Sequence, residues 1–598
     1  MSKNCRYLVL VIFFISINLL FAELRKEDYQ RASSLRGLTA NKVYRSEVKP
    51  KWLPDGNRFW YKIKTGTDSY EYVIVDAVEG KRSLAFDHKQ LATLLVQNGI
   101  KDAKSDKLPI TNLKFKNNSV EFYSGGKSWR YDAKTSTLSI ISDTADSNEG
   151  DCCRVLQRIP SASKRTGNEI SLIFENKTDG KVQLLWLNTD GKRINYGTIP
   201  AGGKRQQNTF AGHIWLIADE NDKVIAAYEA PDEDCVCAID GKNPPSQKNE
   251  SPRDNNRSAK SDISPDGKWK AFVKEFNLYL RDESTKEEFK LTEDGTKVDF
   301  YTTEFYWSPD ALKLVAVKLK KGDDRKVYLI ESSPQDQLQP KLHSIDYLKP
   351  GDKVDIKQPC LFNIKEKRQI KVDNSLFPNP YSITQIRWWR DSRAFVFFYN
   401  QRGHQKLCLF EVNATNGNVR PLIEETSDTF IDYSGKFYLN IIEDSGEIIW
   451  MSERDGWNHL YLYDIQSGKV KNQITKGNWV VRSVDFIDTT NRHIWFFAGG
   501  VRASQDPYYL HLCRVNFDGS GFVCLTEGDG THEIQFSPDR KYLIDTYSRV
   551  DLPPITELRS ATDGRKICEL EKANWDALLK TGWKPPERFV AKGRDGIT

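Results

Sequence analysis

"ISPDGKWKAFVKEFNLYLRDESTKEEFKLTEDG", residues 263–295, is the stretch that decides the fold. A Ser-Pro-Asp-Gly turn opens it. Apolar and polar residues then alternate with a period of two, which suits strands and not helices. A Leu-Tyr-Leu segment follows, then a polar turn, then a short run ending in Leu-Thr. This is one antiparallel unit of short strands joined by tight turns.

The same grammar recurs. It returns from Trp307 as "WSPDALKLVAVKLKKGDDRKVYLIE", from Trp388 as "WWRDSRAFVFFYNQRGHQKLCLFEVNATNGNVRPLI", and from Ile448 as "IIWMSERDGWNHLYLYDIQSGKVKNQIT". "IWFFAGG" and "YYLHLCRVNFDGSGFVCLT" continue it, then "FSPDRKYLIDTYS". Upstream, "WLPDGNRFWYKIK" from Trp52 and "LKFKNNSVEFYSGGKSWRYD" from Leu113 fit two more units. Four short strands repeated about every 40 residues are the mark of a β-propeller blade. The expected fold is all-β, a propeller of roughly eight blades: two within 25–148 and about six within 262–575.

Composition agrees. The 598 residues exceed what one core supports, and 15 Trp with 25 Tyr favour strands. Lys+Arg 88 against Asp+Glu 82 gives a net charge of +6 without a long basic run, so nucleic acid is excluded as a partner class. Residues 1–22 place Lys3 and Arg6 before the apolar run "YLVLVIFFISINLLFA". That predicts a signal peptide and a secreted or periplasmic protein, an uncleaved membrane anchor being the alternative. No later run is long and apolar enough to span a membrane.

One segment breaks the repeat. Residues 186–219 read "WLNTDGKRINYGTIPAGGKRQQNTFAGHIWLIAD" and lie between Cys152-Cys153 and Cys235-Val-Cys237. Polar stretches at "QRIPSASKRTGNE" and within 233–261 read as linkers. Residues 168–232 are therefore expected to form a separate small β-sandwich inserted between the second and third units. In an exported chain the flanking cysteines suit disulfides, Cys152 or Cys153 to Cys235 or Cys237. Four cysteines also suit zinc, the less favoured reading. Cys513 and Cys524 flank a turn at Asp518-Gly519 and are a further disulfide candidate across a hairpin. No cofactor or metal is expected. Five Asn-x-Ser/Thr sites (Asn117, Asn176, Asn249, Asn256, Asn413) are potential glycan acceptors.

"DQLQPKLHSIDYLKPGDKV" from Asp336, "WMSERDGWNHLYLYD" from Trp450 and "GTHEIQFSPDRKYLIDTYSRVDLPP" from Gly530 resemble the N-terminal propeller region of the dipeptidyl peptidase IV branch of the prolyl oligopeptidase family. The resemblance implies a peptide or protein substrate and the kind of homodimer its relatives form. It also implies an α/β-hydrolase domain carrying a Gly-x-Ser-x-Gly elbow. No such motif occurs in these 598 residues, so that domain is expected to lie outside them, no catalytic residue is assigned, and 576–598 reads as the start of a connection to it. The adjacent glutamates that hold a substrate's amino terminus in that branch have no counterpart in "TKVDFYTTEFYWSPD", which offers Glu304 alone. Glu287-Glu288 and Glu424-Glu425 read as ordinary surface charge.

The inserted segment resembles the β domain of the von Hippel–Lindau tumour suppressor. The pattern Trp-Leu-Asn-x-Asp-Gly, Tyr-x-Thr-x-Pro-x-Gly, Gly-His-x-Trp-Leu carries the likeness. It implies a pocket for 4-hydroxyproline at Trp186, Tyr196, Thr209, His213 and Trp215. Thr209 stands in place of a Ser, Phe210 in place of a Tyr and Ala211 in place of an Arg, changes that bear on flanking peptide contacts. Two functions are consistent with this reading: the propeller and accessory peptide-binding part of an exported serine peptidase, or a stand-alone binding protein for proline- or hydroxyproline-containing peptides.

Overall fold

The structure is a computed structural model. It describes residues 26–595 apart from 117–118, 142–153, 157–158, 161, 164–168, 190, 221, 232–234 and 242–260. The expected signal segment lies outside the described residues. Among those described, no helix is long and apolar enough to cross a membrane.

The chain is all-β, and its contacts divide it into two units, residues 1–249 with 528–598, and residues 250–527. The first unit opens with a helix, Lys26–Thr39, that buries none of its residues. Two four-stranded antiparallel sheets follow, Lys51–Leu84 and Thr111–Ile140, joined by a helix at His88–Gln97. Asp87 caps that helix by accepting the Gln90 N–H. The last four-stranded sheet, Thr531–Lys572, belongs to this unit too. Its Ile544, Leu558 and Leu570 share one core with Phe59, Tyr61 and Val73 of the first. Glu571 accepts from Tyr61, Arg45 and Arg82 across that junction.

The second unit holds a three-stranded sheet, Trp269–Lys290, and four four-stranded ones. In each of these sheets, as in those of the first unit just described, neighbouring strands are consecutive in sequence, with one exception. The sheet starting at Asp299–Trp307 runs from Lys313–Lys320 directly to Ile356–Asn363. "KVYLIE" is therefore not its third strand, as the repeat predicted. It pairs with Lys341–Asp346 in a separate two-stranded ribbon whose Tyr328, Ile330 and Leu342 are exposed.

The repeated residues are explained locally. Ser264 Oγ donates to Asp266 (2.7 Å) and accepts the Trp269 N–H (2.9 Å). Ser308 does the same with Asp310 and Lys313, and Ser537 with Asp539 and Tyr542. Each serine thus closes its turn and starts the next strand. The terminal Leu-Thr has an equivalent role. The hydroxyls of Thr292, Thr475 and Thr526 take the backbone N–H of Leu278, Leu460 and Leu512, and also bond the side chains of Asn277, His459 and His511. One threonine per sheet satisfies two polar groups that would otherwise be stranded.

Buried glutamates recur between sheets of this unit. Glu447, 2% exposed, is held by Lys471, by both terminal nitrogens of Arg492 (2.8 and 3.1 Å) and by Ser445. Burial works against its charge, but these donors outweigh burial and hold its carboxyl at about 2. An unfolded glutamate titrates near 4.3, so this group stabilises the fold above that value and loses the contribution as pH falls through about 2. We expect Glu447→Gln to reduce urea stability by roughly 2–3 kcal/mol at pH 6, with most of the difference from wild type gone by pH 2.5. A difference that does not change with pH would contradict this.

Candidate functional site

The inserted module occupies two sheets. One has the order Lys204–Phe210, Glu169–Asn176, Cys235–Ile239, and the other Arg193–Ile199, Val182–Leu187, Ile214–Ala218, Val224–Glu229, Arg154–Val155. Leu172 and Phe174 of the first share a core with Leu184, Trp215, Ile217 and Tyr228 of the second. The module is larger than 168–232. Cys235–Ile239, expected in a linker, pairs in parallel with Glu169–Asn176. Cys235 and Cys237 are therefore buried core residues of the module and not part of a stalk. The alternation in "CVCAI" was the available signal. Their expected pairing with Cys152 or Cys153 lies outside the described residues. Asn176, one of the five glycan candidates, is buried, and its amide donates to the carbonyls of Gly180, Ile199 and Pro200. That side chain is committed to the fold.

The five residues of the expected pocket come together at one end of the two sheets. Trp186 and Trp215 are register partners on adjacent strands, so their rings leave the same face. Thr209 is the last residue but one of the Lys204–Phe210 strand. The turn after it, with Gly212 at φ 84° and the His213 N–H donating to Phe210 O, brings His213 back beside Thr209. Thr209 Oγ1 accepts the Trp215 indole N–H (3.0 Å) and lies 3.3 Å from His213 Nδ1. The His213 ring stacks on Trp186 (centroids 4.8 Å, 27°). Tyr196 stands edge-on to Trp215 (5.1 Å) and to Trp186 (6.5 Å).

These side chains have different roles. Trp215 is 2% exposed and belongs to the core, and Thr209 and His213 are also buried. Tyr196 and Phe210 are about two-fifths exposed and form the open rim. Burial holds His213 below its usual pKa, so the ring is neutral near pH 7. With the indole N–H accepted and a hydrogen bond shared with His213 Nδ1, the threonine hydroxyl keeps one further hydrogen-bonding position. The Trp186 indole N–H is buried and has no acceptor among the described residues. An unmet donor beside a rim of aromatic rings is costly unless a ligand supplies the acceptor.

A second concavity lies in the other unit. It has a volume of about 140 Å³ and is lined by Ser382, Thr384, Gln385, Asn400, Tyr433 and neighbouring apolar residues. Gln385 has a φ of 52° at a bulge in its strand, a conformation that costs energy for a non-glycine residue. Next to it Tyr381, His404, Phe430 and Tyr433 form an aromatic cluster, with His404 stacked on Tyr433 at 4.5 Å. Sequence reading missed this cluster, because its members come from three separate loops and strands.

The carboxylate readings divide. Glu304 is tied to Lys357 (2.5 Å) and Tyr306. Glu287, Glu288 and Glu424 are exposed, as expected. Glu425 is not surface charge. It is buried and accepts from Trp450 Nε1 (2.8 Å), Ser452 Oγ (2.9 Å) and Arg454. Two of these donors come from "SERDGWNHLYLYD", so that motif is a clamp on a glutamate of the preceding sheet. Asp518 lies in a hairpin turn, accepting from the Ser520 N–H and hydroxyl. Cys513 and Cys524 do face each other across the hairpin, but as free thiols and not as a disulfide.

Comparison with known proteins agrees with both parts. Residues 236–554 match the family model described as the dipeptidyl peptidase IV (DPP IV) N-terminal region, and residues 161–228 match the VHL beta domain. The dipeptidyl peptidase 4 of Trichophyton equinum is 25% identical over 247 residues, 40% of this chain and 31% of that protein. The probable dipeptidyl peptidase 4 of Aspergillus flavus is 24% identical over 343 residues, 51% of this chain and 43% of that protein. The chain thus matches less than half the length of these curated relatives. The crystal structure of Porphyromonas gingivalis dipeptidyl peptidase 4 aligns over 95% of this chain and 65% of that one, with 15% identity and a TM-score of 0.41.

Proposed function

The chain belongs to the family of the dipeptidyl peptidase IV N-terminal region, and from that premise we propose that it is the peptide-handling, non-catalytic part of an exported serine-peptidase system. In this reading the repeated sheets are the blades of a propeller of about eight that admits and positions a peptide. The inserted two-sheet module is a small sandwich that grips the peptide through a proline-type ring bearing a hydroxyl. The aromatic cluster at Tyr381, His404, Phe430 and Tyr433 would be a separate place for an apolar side chain to pack within the second unit.

The convergence of Thr209 and His213 beside Trp186 and Tyr196 carries this reading. A pyrrolidine ring packs well on flat aromatic faces. Its added oxygen would meet the threonine hydroxyl and the neutral imidazole, and a flanking peptide carbonyl would satisfy the Trp186 indole N–H. Plain proline lacks the oxygen that would bond them, and polar sites discriminate through such a missing partner.

The test is binding to the full chain of two peptides that differ only in proline against 4-hydroxyproline, followed by calorimetry. One lost buried hydrogen bond costs on the order of 1–3 kcal/mol, so the hydroxylated peptide is expected to bind about tenfold more tightly or better. His213→Ala should remove the preference while the far-ultraviolet circular dichroism stays unchanged. Equal affinity of the wild-type chain for both peptides would overturn the proposal.

A further inference from the structure

We propose that Cys513 and Cys524 are a reversible dithiol, and that low-molecular-weight disulfides oxidise them to a cross-strand disulfide. Cys513 lies on the strand Leu510–Asn516 and Cys524 on Val523–Cys524, where they are direct register partners. The adjacent pair carries the ladder bond, Leu525 N–H to Leu512 O at 2.8 Å. The cysteines therefore occupy a non-hydrogen-bonded position, where facing residues approach most closely, with Cα atoms about 4.5 Å apart. That separation lies within the range a disulfide spans, so the bond can close without moving the strands.

The two thiols are unequal. Cys513 is fully buried, while Cys524 is half-buried, its Sγ 3.3 Å from the Thr526 carbonyl. An external disulfide can reach only Cys524, which leaves Cys513 to resolve. The surroundings suit these roles. The Cys513 S–H, with His511 and the Arg502 guanidinium behind it, pulls Cys524 down to about 4 in spite of its burial. Burial pushes the Cys513 thiol up. Arg502 is fixed by the Thr526 carbonyl (2.7 Å), and His511 by Thr526 Oγ1 (3.0 Å) and Gln505 (2.7 Å). The contrasting thiols are Cys360 and Cys408, both buried and raised to about 12 by burial.

The chemistry balances as two thiol–disulfide exchanges. The Cys524 thiolate attacks one sulfur of RSSR, a mixed disulfide forms and RS⁻ leaves. Cys513 then loses its proton to water and attacks Cys524 Sγ, and the second RS⁻ leaves. Two protein thiols become one disulfide, and RSSR is reduced to two RSH. The bond would fasten the outer strand of the sheet to its neighbour. The hairpin between the two cysteines packs on the preceding sheet, where Asn472 donates to Phe517 O (2.9 Å), and Phe522 stacks on Trp479 of the loop that leads into the cysteines' own sheet, at 5.5 Å.

The test starts from the full chain, reduced with dithiothreitol, desalted and folded, then exposed to oxidised glutathione and mapped by non-reducing mass spectrometry. The expected result is a linked Cys513–Cys524 peptide, formed at least tenfold faster than any adduct on Cys360, Cys408 or Cys568. Cys513→Ala should instead trap one glutathione on Cys524, and Cys524→Ala should take up none at Cys513. A wild-type chain in which both thiols stay fully alkylatable after oxidation would overturn the proposal, and that measurement needs no variant. A Cys513→Ala chain, folded by circular dichroism, whose adduct forms no faster on Cys524 than on Cys568 would also overturn it.

Discussion

Replacing Trp215 by alanine is expected to unfold the inserted module. The indole is 2% exposed, packs against Phe174 (5.8 Å) and Tyr196, and donates its N–H to Thr209. Truncating a buried tryptophan costs about 3–5 kcal/mol. A small module resting on two short sheets has little more than that in reserve. The measurement is hydrogen exchange on the full chain. Amides in 169–239 should lose most of their protection, while those in 306–315 and 394–412 of the other unit keep theirs. Both proline and hydroxyproline peptides should then fail to bind, in contrast to His213→Ala, which should lose only the preference. A Trp215→Ala chain with native protection across the module would show that the ring is not part of its core.

Arg454→Ala is expected to be the most damaging single change among the polar residues of the second unit. The guanidinium pairs with buried Glu425, donates to Ser452 (3.0 Å) and Tyr463 (2.5 Å), and lies over the Tyr461 ring at 4.5 Å. Without it Glu425 keeps, among the described residues, two neutral donors, Trp450 and Ser452. Breaking a buried pair by removing one partner costs about 3–5 kcal/mol, because the charge left behind is uncompensated. Lysine should not rescue, since it cannot both stack on the tyrosine and fork to the carboxylate. The double replacement Arg454→Ala with Glu425→Gln should recover about 1–3 kcal/mol relative to the sum of the two single changes, because it removes both charges together. Urea unfolding of the four proteins completes the cycle, and a cost below about 1 kcal/mol for Arg454→Ala would reject the clamp.

Much of this protein was legible in the order of its residues, and the legible parts share a physical cause. Ser264, Ser308 and Ser537 act on backbone groups within five residues of themselves, so each Ser-Pro-Asp turn announces itself wherever it occurs. The period-two alternation marks strands because one face of each is buried. The Trp186 to Asp219 pattern marked the module, and Trp186, Tyr196, Thr209, His213 and Trp215 lie together, because two tight turns and one strand pairing set most of their spacing. What the sequence could not decide is everything that depends on partners far along the chain. Glu425 looked like surface charge until Trp450, Ser452 and Arg454 of the next sheet closed over it. Cys235 and Cys237 looked like a stalk until a parallel pairing with Glu169–Asn176, more than fifty residues away, made them core. "KVYLIE" has the alternation of a blade strand, but the tertiary fold passes the third position to Ile356–Asn363 and leaves the ribbon exposed. Composition and period report that a strand has an apolar face. Which neighbour covers that face, and which buried charge finds a partner there, is decided by burial across distant segments and so by the tertiary structure alone.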